Sequence, residues 1–196
     1  MKNLIAAILL FYPMTLFSYE EAKYELLFQD DDFEIRRYLP ALIAETSSNG
    51  NWKDANNKSF NVLGGYIFGE NKEERKIAMT TPVETSSQEG YHYDNFSQKR
   101  TLRFFMPRQY TKKELPTPTS NKMGFIELPE RIIAVYKFSG FYSESNFKNH
   151  SKKLQAIVDE KNLERTDIES IAVYNAPWTP WFLRRTEVWQ PIKSWP

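Results

Sequence analysis

From Tyr24 onward, hydrophobic and polar positions alternate in short runs separated by turn-forming residues. Tyr24 to Phe28 and Phe33 to Tyr38 flank the acidic stretch Gln29-Asp30-Asp31-Asp32, and Phe33 and Ile35 alternate with Glu34 and Arg36. An apolar period of two on either side of a polar turn predicts a β-hairpin. Pro40 interrupts, and Ala41 to Thr46 resumes as a strand before the polar loop Ser47 to Asn51. Between Trp52 and Phe68 the period changes. Trp52, Ala55, Ser59, Val62 and Tyr66 recur at helical spacing with Phe60, Leu63 and Ile67 beside them, which predicts a helix. Ile77 to Thr85 and Thr101 to Met106 read as strands around the polar loop Ser86 to Gln98. Lys112 to Ser120, with Pro116 and Pro118, reads as an exposed connector. Arg131 to Phe138 is a further strand that Gly140 breaks. Ser143 can cap a second helix to Lys161, with Phe147, His150, Leu154, Ile157 and Val158 as its apolar stripe. Ile171 to Tyr174 and Arg185 to Trp189 predict the last strands.

The two helices bring out a weak internal repeat. At an offset of ninety positions Ile43 matches Ile133, Ala44 matches Ala134, Gly50 matches Gly140, Asn56 matches Asn146 and Lys58 matches Lys148. The order strand, glycine loop, helix, strand, strand recurs with them. Two such β-α-β-β units related by a pseudo-twofold predict an α+β fold: a curved antiparallel sheet or distorted barrel with two helices packed on it. A cleft between the halves is then the natural ligand site.

Composition narrows the class. The chain has 196 residues, 41% hydrophobic and 15% aromatic, enough for one domain with a real core and a large β content. Its 26 basic and 25 acidic residues nearly cancel, which argues against a nucleic-acid partner. Residues 1–18 differ from the rest: Lys2 precedes the apolar run Leu4 to Phe11, Pro13 follows, and charges begin at Glu20. This is the pattern of a secretory signal peptide cleaved after Ser18, leaving 19–196 as a single exported domain, periplasmic or secreted. The bulk of Leu16 near that junction keeps a retained membrane anchor as the alternative, the one case in which the reading gives a membrane partner. With no cysteine there is no disulfide, so stability rests on the core.

The chemistry legible in the residues is sparse. His92 and His150 are the two histidines, with no paired metal-ligand spacing, and there is no nucleophile elbow. Gly64 to Gly69 has the outline of a phosphate loop, but Glu70 and Asn71 stand where Lys and Ser or Thr are required. Met79 and Met106 read as core, and Arg184 and Arg185 as pins for the preceding loop through carboxylates or backbone carbonyls.

The most unusual segment is Asn175 to Trp189, NAPWTPWFLRRTEVW, a proline-stiffened run with three tryptophans. Together with YELLFQDDDFEIRRY, KIAMTTPV and KFSGFYSESNFKNHSKKL, it makes the chain resemble the SOUL haem-binding protein family from about Tyr24 to the C-terminus. The resemblance implies a distorted antiparallel barrel of two β-α-β-β repeats, similar also to effector-binding domains of bacterial regulators. It implies haem, a related tetrapyrrole or another flat hydrophobic small molecule as the ligand, bound without catalysis. Carried over by position, the site comprises Asn57, Phe60, Gly64 and Gly65 on the first helix, with Trp178 and Thr179 on the loop facing it. Lys53 and Lys58 are the cations on that helix, and Phe60 and Leu63 can supply an apolar floor. Some relatives carry a histidine where this chain has Arg36-Arg37-Tyr38, which leaves Tyr66, Met79 or His150 as iron ligands, or ring contact alone. A second reading is a small-molecule hydrolase or effector-binding module in the same cleft, with Glu45, Glu127 and Glu187 as its candidate acids.

Overall fold

The computed structural model describes residues 19–87 and 98–196. The hairpin forms as β2 (Tyr24–Asp30) and β3 (Phe33–Tyr38), preceded by the short β1 (Glu20–Glu21). After β4 (Ala41–Gly50), helix α1 spans Trp52–Phe68. Asn51 caps its start by accepting from the Asp54 N–H at 2.9 Å, and Gly69 ends it at φ 115°, a left-handed conformation that suits glycine. The strand expected over Ile77 to Thr85 is shorter and divided into β5 (Thr80–Thr81) and β6 (Val83–Ser87). Pro82 separates them, because it has no N–H to give a ladder. Ser86 and Ser87, expected to open a polar loop, belong to β6, and the rest of that expected loop through residue 97 lies outside the described residues, as do His92 and the apolar leader 1–18.

β7 (Gln98–Phe105), β8 (Met123–Leu128) and β9 (Arg131–Phe138) follow, then helix α2 (Glu144–Glu160) with Ser143 as its cap, accepting from the Asn146 N–H. β10 (Ser170–Val173) and β11 (Thr186–Ile192) complete the chain. Among the described residues no helix is long and apolar enough to cross a membrane.

Among the described residues nine strands form one sheet in the order β2-β3-β9-β11-β10-β6-β7-β4-β8. The repeat is written into that order. β4, β6 and β7 of the first unit mirror β9, β10 and β11 of the second, and β6 meets β10 antiparallel with Ile171 opposite Thr85 at the centre. The ladder is not a closed barrel: β2 and β8 are its edges, and both carry exposed charged side chains, Glu25 and Asp30 on one and Glu127 on the other, which discourage further pairing. The sheet nevertheless rolls. Arg131 of β9 and Glu84 of β6 lie three strand spacings apart, about 14 Å in a flat sheet, yet their side chains meet at 3.3 Å. Tyr38 from β3 likewise shares a buried cluster with Ile43 of β4 and Phe105 of β7.

Rolling gives the sheet two environments. Its outer face carries the helices: Phe147, Leu154 and Val158 of α2 pack on Ile35, Ala134 and Val188, and Leu63, Tyr66 and Ile67 of α1 pack on Ala44, Leu102 and Phe104. Burying each of these large side chains contributes on the order of 2 kcal/mol. The inner face holds Tyr38, Ile133, Val135, Tyr174 and Trp189 together with a set of charges.

Candidate functional site

The inner face, where a cleft between the halves was expected, is filled. Alternation in β3 turns Glu34, Arg36 and Tyr38 inward, and alternation in β11 turns Glu187 and Trp189 toward them. Arg36 grips Glu187 through two parallel hydrogen bonds of 2.8 and 3.0 Å, and Glu187 is fully buried. Glu187 also accepts from Tyr174 Oη at 2.9 Å, Trp189 Nε1 at 2.7 Å and Arg185 Nε at 2.8 Å. Burial alone would favour deprotonating Arg36, but the charge and hydrogen bonds of Glu187, together with Tyr38 and Tyr174, outweigh it and raise the Arg36 pKa. Burial and then the same carboxylate push Tyr174 well above an ordinary phenol. Glu34 and Glu84 behave as paired anions: burial pulls each upward, but Lys137 and Arg36 beside Glu34, and Arg131 and Arg103 beside Glu84, hold both below the ordinary carboxylate value. Carboxyls held in this way are poor general acids at neutral pH. Of the candidate acids, Glu187 is locked in this network, Glu45 is paired with Arg103 at 2.9 Å and Glu127 is exposed on an edge strand.

The outer face is different. Register aligns Phe138, Thr186, Val173, Val83, Phe104, Ala44 and Phe125 in one row across the sheet. The helices pack on the two flanks of the sheet, α1 on β4 and β7 and α2 on β9 and β11. The middle strands β10 and β6 keep half-buried Val173 and Val83 in that row. On the α1 side Phe60, 41% exposed, stands edge-on to Phe104 at 5.5 Å, and Phe68 is 59% exposed. Gly64 lies between these rings: a Cβ there would sit 3.3 Å from one and 3.7 Å from the other. The two rings therefore pack over Gly64, which is itself buried. Asn56 donates to Tyr142 Oη at 3.0 Å, linking the first turns of α1 to the segment entering α2. Burial raises the Tyr142 phenol to about 12.

The tryptophan loop leaves the sheet beyond the same row. Arg184 donates to the carbonyl of Thr179 at 2.7 Å and also to that of Pro177, and Gly140 N–H donates to the Trp181 carbonyl at 3.0 Å. Trp181 stacks on Phe141 at 5.8 Å, and Trp178 is 82% exposed. The arginine pair thus pins the loop as its sequence suggested: Arg184 holds carbonyls, and Arg185 holds Glu187 and, at 3.1 Å, Glu21.

The residues expected to form the site therefore divide. Gly64 is buried beside the exposed Phe60 ring, Asn57 and Lys58 are exposed on the same helix, and Trp178 and Thr179 belong to the pinned loop. Leu63 is fully buried in the core and offers no surface to a ligand. Gly65 lies under the Glu70 carboxylate, beside a cavity of about 230 Å³ lined by Asn61, Tyr66, Glu70, Thr119 and Met123. A second cavity of about 220 Å³ lies between β1 and the starts of β4 and β5. Both are smaller than the roughly 300–1,000 Å³ of drug-sized ligand pockets.

The candidate iron ligands are also committed. Tyr66 is buried and donates to the Pro116 carbonyl at 2.9 Å, and Met79 packs against the core under α1. His150 stacks on Phe138 with ring centres 4.0 Å apart, and burial, then Lys153, lowers its pKa and favours the neutral imidazole. Among the described residues no group of three or more acidic or histidine side chains could hold a metal ion.

Comparison with known proteins settles the family. Residues 19–191 match the SOUL heme-binding protein family. The chain belongs to that family. It is 29% identical over 171 residues to heme-binding protein 2 of Homo sapiens, covering 86% of this chain and 82% of the relative, and 28% identical over the same length to the Mus musculus protein. Haem is thus the ligand to which the family and its relatives point. Solved structures share the fold. The EcmrR C-terminal domain superposes with a TM-score of 0.64 at 11% identity, covering 87% of this chain and 98% of that one. A hydrolase from Listeria innocua superposes with a TM-score of 0.59 at 12% identity, covering 83% and 92%.

Residue reading missed three features. Phe68 follows Gly64 by four positions and so continues the line of Phe60, a helical spacing that could have revealed it. Phe141 follows the strand-breaking Gly140, and its pairing with Trp181 is unpredictable without the loop that brings that ring to it. The Arg36–Glu187 pair joins positions 151 residues apart, and no local pattern announces it.

Proposed function

We propose that the protein binds haem or a related tetrapyrrole without chemistry of its own, on the outer face beside α1. The observation that carries this reading is the pair of exposed rings Phe60 and Phe68, packed over Gly64, in a chain of a haem-binding family. A flat apolar ring gains from contact with exposed aromatic side chains. Lys58 and Lys53, exposed on the same helix, supply cations for the propionates, and Trp178 and Thr179 of the pinned loop complete the residues of this reading. Since Tyr66, Met79 and His150 are engaged elsewhere, the ring is held by contact and its iron draws no axial ligand from them. The domain works outside the cytoplasm, delivered by the apolar leader of residues 1–18.

A haem titration followed at the Soret band tests this. A saturable change at micromolar haem, weakened by Phe60→Ala and Phe68→Ala together, is the expected result. Saturation unaffected by that pair would move the ligand away from α1, and no saturable change would remove haem from the account.

A further inference from the structure

The tip of the tryptophan loop exposes more apolar surface than a ring ligand on α1 requires. Trp178, Trp181, Phe182, Leu183 and the neighbouring Phe141 are each at least half exposed. The run Tyr174 to Arg185 contains no acidic residue. These side chains project from a rigid base: Pro177 and Pro180 fix the backbone, Arg184 bonds two carbonyls, and the Asn175 side chain accepts from the Arg185 N–H at 2.6 Å. A preordered apolar tip loses little conformational freedom on contact.

A second observation says what it meets. Arg185, at the end of this loop, forms an ion pair with Glu21 in β1, where the chain enters the fold. Immediately upstream runs the apolar leader from Leu4 to Phe17. Phe17 is four residues before Glu21, so the leader begins within about 14 Å of chain from the loop base. Retained as an anchor, the alternative that its sequence allows, this leader holds the entry to the fold at a bilayer. Trp, Phe and Leu are also the side chains that settle at the headgroup boundary.

We infer that the Trp178–Leu183 tip, with Phe141, docks on a phospholipid bilayer at headgroup depth. The contact is apolar in character: Arg184 and Arg185 are spent inside the protein, and the domain has no charge excess. Zwitterionic lipid therefore suffices, and salt has little effect.

The full chain carries its own reporters. Trp52 and Trp189 are buried, whereas Trp178 and Trp181 are exposed. With phosphatidylcholine vesicles carrying brominated acyl chains, tryptophan emission is quenched, equally at low and high salt. Phe141→Ser, Phe182→Ser and Leu183→Ser combined keep both reporters, and because these positions are exposed, circular dichroism stays unchanged. In that variant lipid quenching falls at least about twofold while aqueous acrylamide quenching rises. Unquenched wild-type emission on vesicles that hold the chain through its leader overturns the inference, as does unchanged quenching in the variant. Haem titration of the same variant reports separately on the ring site, so either idea can fail alone.

Discussion

The two faces of the rolled sheet use the same kinds of residue for opposite ends. Inside, Arg36, Tyr174 and Trp189 spend their donors on Glu187. Outside, Phe60, Phe68, Trp178 and Trp181 leave much of their ring surface in solvent. A buried ion pair satisfied this fully is a structural lock, because freeing either partner leaves a charge without water. An exposed ring beside a glycine gives little to stability and remains available for contact. Function is therefore sought on the outer face, although the inner face holds the more conspicuous chemistry.

The contrast can be broken most strongly from within. Glu187→Ala leaves Arg36 buried without its main partner and is expected to cost about 3–5 kcal/mol of stability in urea unfolding. Haem affinity should hold wherever the variant remains folded. A loss below about 1 kcal/mol would mean that water reaches the inner face and that it is not a lock.

Acid acts on the same face. Glu34 and Glu84 have folded pKa values below their ordinary 4.5, so their contribution is complete above that pH and is lost as pH falls through the lower folded values. Denaturation midpoints should therefore drop below pH 4.5, and Glu84→Gln should flatten that drop.

The outer face should respond the other way. Phe60→Ala with Phe68→Ala should change stability by less than about 1 kcal/mol and weaken haem binding about tenfold. Gly64→Ala sharpens the point further. Alanine favours the helix by about 1 kcal/mol, and its Cβ would meet the partly exposed Phe60 ring, which can give way. The protein should gain slightly in stability while its haem affinity falls a few-fold, a split that a purely structural glycine would not produce.

The smallest effect belongs to His150. Its pKa lies below the ordinary 6.5, so its contribution is full above that pH and declines as pH falls through the lower folded value. His150→Phe should remove this slope from the stability profile and leave the Soret spectrum of bound haem unchanged.

Much of this architecture could be read from the chain, and the exceptions have physical causes. Trp52–Phe68 and Arg131–Phe138 have the predicted bounds because their apolar periods are sustained over many residues. The ninety-residue echo of Ile43-Ala44 in Ile133-Ala134 anticipated the mirrored strand order. β8 escaped because an edge strand with four intermediate or exposed residues flanking Gly124 and Glu127 buries too little to impose alternation. The filled interior escaped for another reason. Arg36 and Glu187 each look like surface charges in sequence, and only rolling of the sheet buries them together. On α1 the family pattern proposes Phe60 and Gly64 together with Leu63, but Leu63 turns to the core because its place on the helix wheel faces Ala44 and Leu102.

Amide hydrogen exchange with and without haem tests the distinction between the faces most directly. The account predicts slowed exchange in the segment Asn57 to Phe68 and in the loop around Trp178 and Thr179, with β3 and β11 unchanged. Protection centred on β3 and β11, with α1 unaffected, would put the ligand inside the rolled sheet and contradict it.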